Sequence, residues 1–224
     1  MVYNLNNDKK EGKQMDKNNL LLYAITDRDC LLNGISIYEA VEAALKGGAT
    51  MLQLREKNID YDEFLSTAVK IKAICKKHNV PLIINDNIDI CIEADADGVH
   101  LGQGDTPVKE ARKILGAKKI IGVTAKTIEQ VKSATLDGAD YIGSGAVFGT
   151  QTKSDAKAMS LETLKELTTA SSLPVVAIGG IDEYNIEKLK NCGISGVAVV
   201  SGIFKQNDIE KAVKRLWGKV KGIV

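Results

Sequence analysis

Short apolar runs alternate with longer amphipathic stretches along the chain from Leu20 onward. The runs are LLYAIT (21–26), TMLQL (50–54), PLIIN (81–85), GVHL (98–101), KIIGV (119–123), YIGSG (141–145), PVVAIGG (174–180) and GVAVVSG (196–202). Most are continuously apolar, which is typical of strands that are buried on both faces of a parallel sheet. The pattern therefore predicts eight buried strands.

The stretches between the runs carry helix-start signals. Ser36, Asp60, Thr127 and Asn207 are each followed three residues later by Glu or Gln, and Pro107 suits the first position of a helix. Eight strand–helix units predict an α/β fold, a single-domain (β/α)8 TIM barrel. A doubly wound open sheet is the alternative, but the chain contains neither G-x-G-x-x-G nor a phosphate-binding P-loop motif.

Composition narrows the classes of function. The chain has 224 residues and a net charge of +1, so no overall field favours nucleic acid or a membrane surface. No run approaches the roughly 18 apolar residues of a membrane span. Residues 1–18 lack the apolar centre of a signal peptide, so we expect a mobile N-terminal tail there, with a catalytic barrel over 19–224.

The four cysteines and two histidines are spaced too widely for a zinc site. We expect buried free thiols and a cytoplasmic protein. The outer helices show ordinary amphipathic patterns, from which no oligomeric state can be derived.

Polar residues and glycines follow seven of the predicted strands. In a TIM barrel these strand ends share one mouth, where catalysis takes place. A single polar strand end such as QLREK (53–57) reads equally well as a solvated edge, but the repetition around the barrel favours a site. The members are Gln53, Arg55, Lys57, Asn85, Asp86, Asp105, Thr124, Thr150, Thr152, Lys153, Gly180 and Ser201.

Residue chemistry indicates two anionic substrates. Asp86 and Asp105 follow neighbouring strands and offer hard oxygen ligands to Mg²⁺, although either alone also suits a helix cap or turn. Arg55, Lys57 and Lys153 suit a group with several negative charges, such as a diphosphate.

A second anion site is predicted after strands 7 and 8. The glycines at 179–180 and the Ser-Gly pair at 201–202 suit a phosphate bound by backbone N–H groups, or alternatively simple tight turns. Thr150 and Thr152 would either bind phosphate or form a polar lid. Together the two sites suggest transfer of an organic group with diphosphate leaving.

The chain resembles the thiamine-phosphate synthase family from residue 23 to about 217. The matching stretches are YAITDR (23–28), QLREK (53–57), IIND (83–86), DGVHLGQGD (97–105), IIGVTAKT (120–127), GSGAVFGTQTKSDA (143–156), VAIGGI (176–181) and VVSGI (199–203). The resemblance implies an Mg²⁺-dependent transferase of thiamine biosynthesis. It would join 4-amino-2-methyl-5-hydroxymethylpyrimidine diphosphate to a carboxylated thiazole phosphate, releasing diphosphate and carbon dioxide.

The resemblance also implies a role for each site residue. The pyrimidine diphosphate would contact Gln53, Arg55, Lys57, Asn85, Thr124 and Lys153, of which Arg55, Lys57, Thr124 and Lys153 would serve catalysis. The thiazole phosphate would contact Thr150, Thr152, Gly180, Val200 and Ser201. Asp86 and Asp105 would bind the metal.

Two positions depart from the family pattern. Thr124 stands where serine is usual, and Gly149 stands where proline is usual. We expect these departures to tune affinity or loop closure rather than remove activity.

Three other functions are alternatives for a barrel with this sequence. A thiazole tautomerase-like paralogue would need a histidine near Thr124, where the loop reads Thr-Ala-Lys. A non-catalytic module that binds a thiamine precursor would explain the pocket but not the paired aspartates. A sugar-phosphate isomerase or aldolase would need a paired acid and base or a lysine on a central strand.

Overall fold

Eight parallel strands close into a barrel in the order β1 to β8, with β8 paired to β1. This computed structural model describes residues 16–32, 34–149 and 158–224. The strands are β1 (Leu22–Ile25), β2 (Met51–Leu54), β3 (Leu82–Asn85), β4 (Gly98–Leu101), β5 (Ile120–Thr124), β6 (Tyr141–Gly145), β7 (Val175–Ile178) and β8 (Gly196–Val199). The predicted TIM barrel is confirmed, and the open sheet is excluded.

Helices surround the barrel. They are α1 (Ile37–Gly47), α2 (Tyr61–Lys77), α3 (Ile88–Glu93), α4 (Val108–Leu115), α5 (Ile128–Asp137), α6 (Leu161–Ala170), α7 (Ser201–Phe204) and α8 (Ile209–Val220). Between β7 and β8 the connection contains a 3₁₀ helix, Ile186–Leu189, in place of an α-helix. In the described part of the chain, no helix is long and apolar enough to cross a membrane.

Side-chain caps begin three of these helices as predicted. Ser36 forms a full capping box with Glu39, and Asp60 and Thr127 accept from the backbone three residues on. The prediction at Asn207 is wrong by one residue, because the carboxylate of Asp208 accepts the Lys211 N–H instead.

The sequence predicts Pro107 as the first residue of a helix, but α4 begins one residue later, at Val108. Pro107 has an extended ψ of 139°, so it precedes α4 as the N-cap residue and makes no side-chain cap.

The N-terminal boundary involves a 3₁₀ turn, Lys17–Leu20, whose Leu20 is fully buried. Residues 1–15 lie outside the described residues. The expected tail over 1–18 therefore stays a prediction.

Alternation along the strands produces two apolar layers. In β2, Leu52 and Leu54 pack with the helices, whereas Met51 belongs to a smaller cluster inside the barrel with Tyr23 and Tyr141. Side chains of a strand point alternately to its two faces. Gln53 therefore points inward with Met51, as the pattern of QLREK predicts.

Polar side chains just before β2, β4 and β6 complete the bottom of the barrel. The Thr50 hydroxyl accepts the Leu22 N–H at 2.9 Å, Asp97 accepts the Leu82 N–H at 2.8 Å, and Asp140 accepts the Ile121 N–H at 2.7 Å. These N–H groups open β1, β3 and, one residue in, β5. A buried N–H without an acceptor is costly, so these three side chains stabilise the beginnings of the strands.

We expect Asp140→Ala to lower the free energy of unfolding by about 1–3 kcal/mol, because it removes the acceptor for Ile121 and the partner of Arg112, 2.6 Å away. Denaturant unfolding of purified protein measures this change. Asp137→Ala is the control, since that carboxylate accepts from the exposed Ser133 hydroxyl, and it should shift stability by less than about 0.5 kcal/mol. Equal effects of the two substitutions would contradict this role for Asp140.

Candidate active site

The carboxyl ends of the strands surround one cavity. On one side it is lined by Gln53, Arg55, Asn85 and Thr124, which lie at the ends of β2, β3 and β5. On the other side, after β7 and β8, it is lined by Gly180, Val200 and Ser201. The structure thus brings these predicted residues to one mouth, since parallel strands of a barrel all end on the same face.

Other predicted residues lie at the rim or beyond. Lys57 is exposed past the end of β2, and it does not line the cavity. Thr150, Thr152 and Lys153 lie outside the described residues, so their predicted roles stay predictions.

Asp86 and Asp105 occupy the loops after β3 and β4, outside the cavity lining. Asp86 has a left-handed backbone, with φ of 64°, and its N–H donates to the His100 carbonyl at 2.9 Å. Its Oδ2 accepts from the Asn85 amide at 2.5 Å, and Oδ2 of Asp105 accepts from the Gly102 N–H at 2.6 Å. Both carboxylates are therefore oriented by their own loops.

The two aspartates suit Mg²⁺ better than a metal ion that is coordinated by protein side chains alone. Among the residues that the structure describes, no three His, Cys, Asp or Glu side chains cluster as metal ligands. Mg²⁺ commonly takes one or two protein carboxylates and completes its shell with water and substrate phosphate. Asp86 and Asp105 fit that requirement in chemistry and in their place on neighbouring strands.

Three successive links join the ends of β1 and β2. The Thr26 hydroxyl accepts the Arg55 N–H at 2.9 Å, and Asp27 pairs with the Arg55 guanidinium at 3.2 Å. On the outer side, Arg28 Nε lies 2.7 and 2.9 Å from the two Glu56 oxygens, and this bond raises the pKa of Arg28. The links hold Arg55, only 7% exposed, at the cavity.

A hydrogen-bonded chain crosses the barrel interior below the cavity. The Gln53 amide donates to the Tyr23 hydroxyl at 2.6 Å, and the Tyr23 and Tyr141 hydroxyls are 2.9 Å apart. Tyr141 lies 3.0 Å from His100 Nδ1, and His100 Nε2 lies 3.1 Å from the Thr124 hydroxyl. Both ring nitrogens of His100 therefore have hydrogen-bond partners within the barrel.

Sequence reasoning missed Tyr23, Tyr141 and Lys126. Tyr23 and Lys126 line the cavity, and Tyr141 lies beneath it as part of the chain. The available signal was a tyrosine within each of two otherwise apolar or glycine-rich strands, because a buried Tyr hydroxyl needs a hydrogen-bond partner.

The turn after β7 requires glycine. Gly179 and Gly180 have φ values of 104° and 65°. A Cβ on Gly180 would also collide with the carbonyl oxygens of Phe148 and Gly149. Backbone therefore lines this side of the cavity, as the prediction of a backbone-bound anion requires.

Comparison with known proteins agrees with this geometry. The profile of the family described as thiamine monophosphate synthase matches residues 22–203. The chain is 50% identical over 197 residues to the thiamine-phosphate synthase of Clostridium tetani, covering 88% of this chain and 94% of that protein. It belongs to the thiamine-phosphate synthase family.

Further members of the same family match this chain over nearly its full length. The thiamine-phosphate synthase of Fusobacterium nucleatum is 48% identical, over 90% of this chain and 98% of its own. The solved thiamine phosphate pyrophosphorylase of Pyrococcus furiosus superposes with a TM-score of 0.85 at 35% identity, covering 93% of this chain and 98% of its own. The resemblance that the motifs indicated is thereby confirmed.

We expect Arg28→Ala to lower the free energy of unfolding by about 2–3 kcal/mol, because it leaves the Glu56 carboxylate, 1% exposed, without its partner. The loss should be smaller than for a fully buried pair, since the Arg28 side chain is 38% exposed. Adding Glu56→Gln should restore part of the stability, as measured by urea unfolding.

Lys214→Ala is the matched control for this prediction. It removes an exposed pair with Glu210 on α8, for which about 0.3–0.5 kcal/mol is expected. A loss for Arg28→Ala no larger than for this control would show that the Arg28–Glu56 pair does not hold the strand ends.

Proposed function

We propose that this chain joins 4-amino-2-methyl-5-hydroxymethylpyrimidine diphosphate to a carboxylated thiazole phosphate. The products are thiamine monophosphate, diphosphate and carbon dioxide. The observation that carries the proposal is one cavity with a buried, paired arginine on one side and a glycine-rich backbone wall on the other. Membership of the thiamine-phosphate synthase family supports it.

The pyrimidine diphosphate occupies the side formed by β2, β3 and β5. Arg55 carries the permanent positive charge there, and its guanidinium suits two phosphate oxygens at once. Gln53, Asn85 and Thr124 supply hydrogen bonds to the rest of the substrate. Lys57 and Lys153 extend the positive charge at the rim.

Asp86 and Asp105 are the residues that would hold Mg²⁺. When bound, the ion neutralises negative charge on the leaving diphosphate. The bond from Asn85 to Asp86 joins a ligand of the metal to a residue that binds the substrate.

The thiazole phosphate occupies the opposite side. The N–H groups of Ser201 and Gly202 lie in the first turn of α7, where a helix offers them no internal acceptor. Backbone at Gly180 and Val200 and the hydroxyls of Thr150 and Thr152 complete this phosphate site.

The reaction begins as the bond between the methylene carbon and diphosphate oxygen breaks, and both electrons leave with diphosphate. Arg55 stabilises that charge from a position already set by Asp27. The aminopyrimidine ring delocalises the cation, and the thiazole nitrogen donates its lone pair to form the new bond. Loss of the carboxylate as carbon dioxide and proton transfer complete the thiazolium ring.

No covalent protein intermediate is required. The four cysteines are free and buried, and burial raises the pKa of Cys75 to about 12 and of Cys91 to about 11. None of the four lines the cavity. Free buried thiols also support a cytoplasmic location.

We expect purified protein with both substrates and Mg²⁺ to form thiamine monophosphate, detected by fluorescence after oxidation to thiochrome. EDTA should stop the reaction, and added Mg²⁺ should restore it. Saturable binding of both substrates without product would instead support a precursor-binding module. Tautomerisation of the thiazole without coupling would support the tautomerase-like alternative.

We expect Asp86→Asn to lower kcat at least about 100-fold at limiting Mg²⁺, because it removes a charged ligand while asparagine still tolerates the left-handed backbone. Asp95→Asn is the matched control, since Asp95 also has a positive φ, of 47°, and lies before β4. Its kcat should stay within about twofold of the parent. Wild-type activity of Asp86→Asn would overturn the metal assignment.

A further inference from the structure

The hydrogen-bonded chain inside the barrel has a direction. It runs from Gln53 through Tyr23, Tyr141 and His100 to Thr124, with successive separations of 2.6, 2.9, 3.0 and 3.1 Å. Each hydroxyl carries one hydrogen, and a neutral imidazole has one N–H and one acceptor nitrogen. When every buried hydroxyl hydrogen is used within the chain, the donor at one end sets the direction of every link.

The Gln53 end is a donor. Its Nε2 amide donates to the Tyr23 hydroxyl at 2.6 Å. If each buried hydroxyl donates within the chain, the Tyr23 hydrogen goes to Tyr141 and the Tyr141 hydrogen goes to Nδ1 of His100. This direction requires the His100 tautomer with its hydrogen on Nε2, which donates to Thr124.

Burial keeps the two tyrosines in the form this chain needs. Tyr23 is 1% exposed and Tyr141 is fully buried, and burial raises the pKa of both hydroxyls well above the ordinary value. Both therefore remain neutral, with one hydrogen to donate.

The barrel makes room for these rings through two glycines. A Cβ on Gly122 would lie 2.1 Å from Cζ of Tyr141 and collide with it, and one on Gly143 would approach the His100 ring to 3.2 Å. The Tyr141 and His100 rings also lie in contact, with centroids 5.5 Å apart. The chain is thus packed into place by the strands that carry it.

The consequence lies at the Thr124 end. With its oxygen already accepting from His100, the Thr124 hydroxyl has its hydrogen left to give, and Thr124 lines the cavity. Its γ-methyl restricts χ1, which narrows the directions in which the hydroxyl can point.

We propose that Tyr23, Tyr141 and His100 are positioning residues that make Thr124 a hydrogen-bond donor to the substrate ring. The site thereby selects a heterocycle that presents an acceptor nitrogen at this point. The direction of the chain rests on the Gln53 amide donating to Tyr23 and on each buried hydroxyl donating within the chain. The identity of the ring as the aminopyrimidine rests on the proposed function.

The direct test is the ring-nitrogen NMR spectrum of ¹⁵N-histidine-labelled protein. The chain has two histidines, His78 and His100, so His78→Gln assigns both. We expect the His100 proton on Nε2, with Nδ1 as acceptor. A proton on Nδ1 would reverse a link and overturn the proposal. This measurement needs no substrate, so the His100 tautomer is determined even if the protein lacks the proposed coupling activity.

The functional test is a cycle of Tyr141→Phe and Thr124→Val in the coupling assay. Each should raise KM for the pyrimidine diphosphate about tenfold, and Tyr141→Phe should keep kcat within about twofold, since a bond made equally in the ground and transition states affects binding alone. The double variant should be no worse than Thr124→Val, because both changes remove the same bond.

Tyr184→Phe is the matched control, as Tyr184 is 85% exposed. It should leave KM unchanged. Additive effects in the double variant, or a Tyr141→Phe that loses stability with unchanged KM, would assign the chain a purely structural role and overturn the proposal. A wild-type protein that makes no product would contradict the proposed function and the identity of the ring, but not the NMR result.

Discussion

A polar group inside a closed barrel must find its partner within the barrel. The 2.9 Å bond between the Tyr23 and Tyr141 hydroxyls is the central case, because both tyrosines belong to the apolar cluster inside the barrel. An unpaired hydroxyl there would cost about 1–3 kcal/mol. That constraint explains the glycine at 122, which admits the Tyr141 ring, and the polar residues above it. The same bonds that satisfy the interior therefore orient groups at the mouth.

The strand ends are coupled to one another before any substrate arrives. Arg55 is positioned by Asp27 and by the Thr26 hydroxyl, while Asp86 is held to the β4 backbone at His100. A charged site whose groups are already fixed loses little free energy to reorganisation when a charged substrate binds. Residues 26–28 at the end of β1 are thus joined to residues 55–56 at the end of β2 by hydrogen bonds and ion pairs.

Local patterns predicted much of the fold and part of the site. The boundaries of YIGSG match β6, and Ser36 caps α1 as its spacing with Glu39 indicates. Gln53 and Arg55 reach the cavity because strand periodicity puts them on its inner face. The capping residue of α8 was misplaced by one position because Asn207 and Asp208 both suit a cap, and only the backbone shows which side chain accepts the Lys211 N–H.

By itself the sequence determined the strand–helix alternation, the number of units and part of the set of residues at the strand ends. These follow from hydrophobic periodicity, which acts over a few neighbouring residues. Only the tertiary structure decided which distant side chains meet, such as Gln53 with Tyr23 and Tyr141 with His100. Those contacts depend on the register between strands and on the space left by glycines across the barrel. Neither is encoded in any local stretch of the chain.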